Sequence, residues 1–167
     1  MIHVRPGNLD DVPGAHACLD VVARERRYLA LLEAPPLARS QDWWGGLIAK
    51  GHPFQVAVDD GRIVGWCDIA ASPRPSLAHV GTLGMGLFAE YRGRGLGRRL
   101  LVAALDDARR AGLERIELDV FAGKPRARRL YESVGFVFEG VLRRRYKLRG
   151  DAEDSVMMAL LLEPPSG

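Results

Sequence analysis

The chain has 167 residues, 47% of them apolar and 27% charged, with a net charge of +3. This is the ordinary composition of a soluble globular protein, with room for one domain and a real core; residues 1–167 are read as a single domain. The positive charge gathers at Arg92–Arg99, Arg126–Arg129 and Arg143–Arg149, patches suited to phosphate groups, but few aromatics stand near them to stack bases, which argues against nucleic acid.

Residues 1–5 alternate apolar Ile2 and Val4 with polar neighbours and read as a short strand, broken at Pro6-Gly7. Asn8 can cap a helix with Asp10 and Asp11 in its first turn. That helix is expected to run to about Arg27, with Val12, Ala15, Leu19, Val22 and Ala23 on one face. YLALLE, residues 28–33, continues as helix until Pro35-Pro36, and a further helix is expected over Ser40–Ala49, capped by Ser40. Helices so early in the chain often wall a substrate cleft, and Tyr28, Trp43 and Trp44 suggest an enclosed apolar pocket there. Phe54–Val58 and Ile63–Ala70 form a hairpin about Asp60-Gly61.

The most informative stretch is 79–112. It reads as a strand with four glycines, a turn Arg92-Gly93-Arg94-Gly95-Leu96-Gly97, and an amphipathic helix carrying Leu100, Leu101, Ala104, Leu105 and Ala108, ended by Gly112. A helix start has free N–H groups and partial positive charge, and glycines let main chain approach a ligand, so this turn is an anion site. It lies past mid-chain, which removes a dinucleotide-binding reading, and it lacks the Gly-Lys-Ser/Thr ending of a nucleotide-triphosphate loop. Arg115–Phe121 is a strand, Pro125 opens a helix ended by Gly135, Phe136–Val141 is a strand, residues 143–154 an exposed connection, and Ser155–Leu162 the last strand. Strands alternating with helices in this half predict a partly parallel sheet, with antiparallel hairpins added by the first half. Cys18 and Cys67 stand alone, without metal spacing, as do the scattered histidines; reduced thiols and no metal are expected. The opening residues carry no leader pattern and no apolar run is long enough for a bilayer, so a cytoplasmic protein without a membrane partner is expected.

Arg92-x-x-Gly95-x-Gly97, between a strand and a helix, resembles the acyl-CoA pyrophosphate loop of the GCN5-related N-acetyltransferases. Asp119-Val120-Phe121 followed by Leu130-Tyr131-Glu132-Ser133-Val134-Gly135-Phe136 resembles that family's second conserved block. The order of elements fits over essentially the whole chain. The resemblance implies a mixed α/β fold of six to seven strands whose central parallel strands splay apart around Met85–Leu87 and Ile116–Val120, with acetyl-CoA in the gap. Main-chain groups of Met85, Gly86 and Leu87 would pair with the pantetheine arm. The amides of Arg92, Gly93, Arg94, Gly95, Leu96 and Gly97 would hold the pyrophosphate, with charge added by Arg94 and Arg98.

The implied reaction is acetyl transfer to a primary amine by direct attack through a tetrahedral intermediate. The acceptor is a small amine, a free amino acid or an amino-acid-like compound; the alternatives are a peptide N-terminus or a non-catalytic acyl-CoA sensor. Tyr131 matches the family's general acid. For the base, Asp119 and Glu25 are candidates, Glu33 and His79 weaker ones. Relatives often have an asparagine where this chain has Lys124, which could instead reach a CoA phosphate. A homodimer is the family's habit, and apolar VMMALLL at residues 156–162 is a candidate surface for it.

Overall fold

The computed structural model describes residues 1–163. Seven strands make one mixed sheet: β1 (Ile2–Pro6), β2 (Phe54–Asp59), β3 (Arg62–Ala71), β4 (Val80–Leu87), β5 (Arg115–Phe121), β6 (Val137–Lys147) and β7 (Ala152–Leu161). Their order across the sheet is β1-β2-β3-β4-β5-β7-β6. Four helices flank it: α1 (Val12–Arg24), α2 (Leu37–Lys50), α3 (Leu96–Arg110) and α4 (Pro125–Glu132).

The capping signal at Asn8 is realised. Its side chain accepts from the Asp10 amide at 2.9 Å, and Asp11 accepts from the Asn8 amide at 2.9 Å, a capping box that starts a short 3-10 turn leading into α1. Helix α1 ends at Arg24, three residues before the expected end, because Arg26 adopts a φ of +56°. The helix expected over residues 28–33 does not form: Tyr28–Pro36 is an irregular segment with Leu31 and Leu32 exposed. Ser40 is not a cap either. Helix α2 begins at Leu37, directly after Pro36, and Ser40 is buried in its first turn.

Strands β2 and β3 meet at Asp60-Gly61, both at positive φ, and a bulge between Ala57 and Val58 turns Ile63 toward the opposite face from Gly65. Alternation then assigns the two faces. Phe54, Trp66 and Ile63 meet α1 and α2: Trp44 stacks on Phe54 at 5.1 Å and meets Trp66 edge-on at 6.2 Å, and Gly14 lies against Ile63. Gln55, Met85 and Leu87 meet α3: the Gln55 amide donates to Asp107 at 2.5 Å, and Gly97 packs on Met85 and Leu87. Leu130 of α4 also packs on Gly97, so α4 shares the α3 face. The buried core runs between these layers, with Leu100, Leu101, Ala104 and Ala108 of α3 fully enclosed.

The central pair β4 and β5 is parallel, but its register covers only Val80–Thr82 against Arg115–Glu117. Beyond Thr82 and Glu117 the strands part. The gap therefore opens one or two residues later on β5 than the sequence suggests, since Ile116 and Glu117 are still paired. Strand β7 fills the place beside β5, antiparallel to it, with β6 at the edge. Residues 143–147, expected in a connection, belong to β6; Arg144 at φ +52° lies in the irregular register between Leu142 and Tyr146. The VMMALLL segment is interior to this sheet, with Val156, Met158, Ala159 and Leu162 buried within the chain, so most of it offers no surface to a second copy. Among the described residues no helix is long and apolar enough to cross a membrane.

Candidate active site

Where β4 and β5 part they leave a cleft of about 350 Å³. Its lining comes from both faces of the sheet: Val22 and Tyr28 on the α1 side, Gly97, Leu130 and Tyr131 on the α3 side, and Met85–Leu87 and Asp119–Phe121 on the parted strands. The gap is thus open through the sheet rather than a groove on one side of it.

One end is built from main chain. After β4 a short 3-10 turn over Ala89–Tyr91 leads to Arg92 in extended conformation, Gly93 and Gly95 take φ values of +73° and +78°, and α3 begins at Leu96. These conformations are open to glycine and costly to other residues. No side chain caps the start of α3, so its first N–H groups remain open to a ligand. The guanidinium of Arg126 lies over Gly93 where a Cβ would stand. Arg98, Lys124 and Arg126 line the cleft, and among the described residues none forms a salt bridge. Three unpaired cations beside open helix N–H groups fit a polyphosphate ligand.

The Arg92 side chain is not available to that ligand. It donates to both Glu25 carboxylate oxygens at 2.7 and 2.8 Å and to the Leu87 carbonyl at 2.7 and 3.1 Å. Bonding to Glu25 is what raises its pKa most, so the guanidinium stays charged. Two consequences touch the expected site. Glu25 is held as an ion-pair partner at the end of α1, and the Leu87 carbonyl already has a donor, leaving Met85 and Gly86 as the free part of the β4 edge. Arg94 points away from the cleft lining, toward the Glu90 carbonyl.

Tyr28 lies between two cations, 4.7 Å from the Arg92 guanidinium carbon and 5.3 Å from Lys124 Nζ. It links the irregular segment after α1 to the β5–α4 turn across the mouth of the cleft. The expected aromatic pocket does not assemble around it: Trp44 is in the core, and Trp43 is 55% exposed on α2.

Tyr131 projects from α4 into the cleft and meets Phe136 edge-on at 5.8 Å. Burial pushes its phenol well above the ordinary range, with the nearby Cys67 adding to the shift, so it holds its proton at neutral pH. Asp119 faces the opposite side and accepts from the Tyr146 hydroxyl at 2.7 Å. Tyr146 packs edge-on against Phe121 at 5.1 Å. The sequence reading missed Tyr146, which lies 27 residues from Asp119 and reaches it only because β7 folds between β5 and β6. Glu33 is tied to Arg24 at the surface, and His79 precedes β4 and is not part of the cleft lining.

Residues 18–136 match the model of the acetyltransferase (GNAT) family. The chain belongs to this family. Among its relatives, the N-alpha-acetyltransferase RimI of Mycobacterium tuberculosis is 35% identical over 117 residues, 70% of this chain and 69% of that protein. The L-methionine sulfoximine/L-methionine sulfone acetyltransferase of Pseudomonas aeruginosa is 26% identical over 96% of this chain and 95% of its own. Matches to two uncharacterized N-acetyltransferases of Bacillus subtilis span 54% and 64% of those proteins' own length. The GNAT fold itself is evident in yncA of Salmonella typhimurium, a putative acetyltransferase solved with acetyl-CoA: its TM-score is 0.92 at 18% identity, over 100% of this chain and 97% of that one.

Proposed function

We propose that this GNAT chain transfers the acetyl group of acetyl-CoA to the primary amine of a free amino acid or an amino-acid-like small molecule. The observation that carries the reading is the parted β4–β5 pair, with open N–H groups and unpaired cations at one end and the half-buried Tyr131 in its wall. Acetyl-CoA supplies an activated thioester. The Arg92–Gly97 main chain, Arg98, Lys124 and Arg126 would hold its phosphates, with Lys124 in the place of an asparagine common in relatives. The free edge at Met85 and Gly86 would align its arm as an added strand. Tyr131 gives its proton to the departing thiolate, which a phenol kept neutral by burial can do. Asp119, oriented by Tyr146, faces the amine.

A small amino-acid-like acceptor is favoured by the likeness to the L-methionine sulfone acetyltransferase, which spans nearly the whole of both chains. The likeness to RimI, higher in identity over a shorter stretch, makes a peptide N-terminus the second reading. Thiol release from acetyl-CoA, measured against free amino acids, L-methionine sulfone, polyamines and short peptides, separates them. Turnover with L-methionine sulfone or a free amino acid above that with peptides is the expected result. Preference for peptides overturns the small-acceptor reading, and silence with every amine favours an acyl-CoA sensor.

A further inference from the structure

Asp68 sits in the middle of β3, only 7% exposed, on the face that meets α1 and α2. A carboxylate this enclosed calls for a cation, and among the described residues it has no salt-bridge partner. Its Oδ2 accepts from the Trp44 indole at 2.6 Å. In register it pairs with Gly84 of β4, which lies on the stretch of β4 beyond Thr82 that has parted from β5. A Cβ built on Gly84 would lie 3.2 Å from Asp68 Oδ1, so that oxygen is covered by a residue without a side chain. Thr82, Gly84 and Gly86 share this face of β4; Thr82 is exposed and both glycines are partly so. The carboxyl thus lies behind a partly exposed stretch of β4, on the sheet face opposite Tyr131; it adjoins the parted edge through Gly84 and is not itself part of the cleft lining.

We propose that Asp68 accepts the proton of the acceptor ammonium. The assignment rests on the acetyltransferase reading above. The ammonium N–H bond breaks as the Asp68 O–H bond forms, and the freed nitrogen lone pair makes the C–N bond while the C–S bond breaks. Sulfur leaves with the electron pair and takes the Tyr131 proton. A second nitrogen proton goes to water; Asp68 then returns its proton to water and Tyr131 regains one, so one proton is released per turnover. Proton acceptor and proton donor stand on opposite faces of the sheet, with the reacting atoms in the gap between them.

The titration behaviour agrees with this role. Burial raises the Asp68 carboxyl to about 6, against the lowering effect of the Trp44 and Trp43 indoles, so it is mostly ionised yet basic at neutral pH. Trp44 and Trp43 of α2 donate toward it, Phe54 of β2 and Gly84 of β4 are its strand partners, and no charged group contributes to its shift. Cys67, beside it on β3, points to the other face.

The test is kcat against pH with acetyl-CoA and L-methionine sulfone, or the best amine of the screen. The wild type should lose rate below about pH 6. Asp68→Asn, which keeps an oxygen for Trp44 and removes the buried charge, should lower kcat about a hundredfold or more and abolish the acid limb. Asp68→Glu should restore part of the rate. Trp44→Phe removes a donor that lowers the carboxyl's pKa, so it should move the acid limb to higher pH. A folded Asp68→Asn with the acid limb intact, or a Trp44→Phe limb that does not move, overturns the proposal. If Asp68→Asn does not fold, the Trp44→Phe profile decides. A wild type inactive on every amine overturns the acetyltransferase reading itself, and this role with it.

Discussion

On the α3 side of the gap the groups proposed to bind ligand are mainly main-chain N–H groups, fixed by Gly93 and Gly95 in one short turn. On the α1–α2 side the proposed groups are carboxyls and phenols gathered from β3, β5, β6 and the segment after α1. The first kind of site depends on backbone conformation within a handful of residues. The second depends on register, strand order and burial, each fixed by distant parts of the chain. A phosphate-bearing cofactor common to a whole family suits the first; an acceptor that differs from member to member suits the second, because side chains can change without disturbing the turn.

The largest expected effect tests where the two sides meet. Tyr131→Phe should lower kcat about a hundredfold while leaving KM for acetyl-CoA near its original value, read by thiol release. Little loss would remove the phenol from the reaction. Next comes the main-chain side. Gly95→Val forces a β-branched residue to φ +78°, at a cost of about 1–2 kcal/mol, and should raise KM for acetyl-CoA about tenfold with kcat little changed. A matching loss in kcat alone would mean that the turn does not bind the cofactor.

A smaller effect sharpens the acceptor side. Glu25→Gln should cost about 2 kcal/mol by leaving Arg92 without its bidentate partner, lowering Tm by about 5 °C. If Glu25 is an ion-pair partner and no base, the acid limb of kcat stays in place; a lost limb would return it to the list of proton acceptors. The smallest effect lies outside both sides. Arg5 holds Asp11 below the ordinary value of 3.8, so this pair stabilises the fold fully above that value, and the contribution is lost as pH falls through the lower folded value. Asp11→Asn should therefore lower Tm by about 3 °C at neutral pH, roughly 1 kcal/mol, and the gap to the wild type should close in acid.

What could be read in advance follows the same division. The α3 stripe, the glycine turn and the LYESVGF block are local patterns, and each is realised where the sequence puts it. Tyr28–Pro36 failed as a helix because Leu31 and Leu32 have no core to face, and Arg26 breaks the chain direction just before them. Residues 143–147 read as a connection because five of the seven residues from Arg143 to Arg149 are basic, yet an edge strand tolerates charge on both faces. Asp68 gave no signal at all: within VGWCDIA it is one polar residue in an apolar strand, and its burial exists only once α2 has laid Trp44 over it. Tyr146 reaches Asp119 by strand order, which periodicity does not encode.

The Arg92 guanidinium has one further consequence. By holding Glu25 and the Leu87 carbonyl together, it fastens the segment that bears Tyr28 to the first residue of the phosphate turn. On the proposed function, order brought to that turn by acetyl-CoA would be shared with the wall proposed to face the amine. Linkage makes such an effect mutual: the factor by which bound cofactor tightens the acceptor equals the factor by which bound acceptor tightens the cofactor. The kinetic signature expected of such a link is a sequential mechanism in which each substrate lowers the dissociation constant of the other, and cutting the fastening should make the two independent.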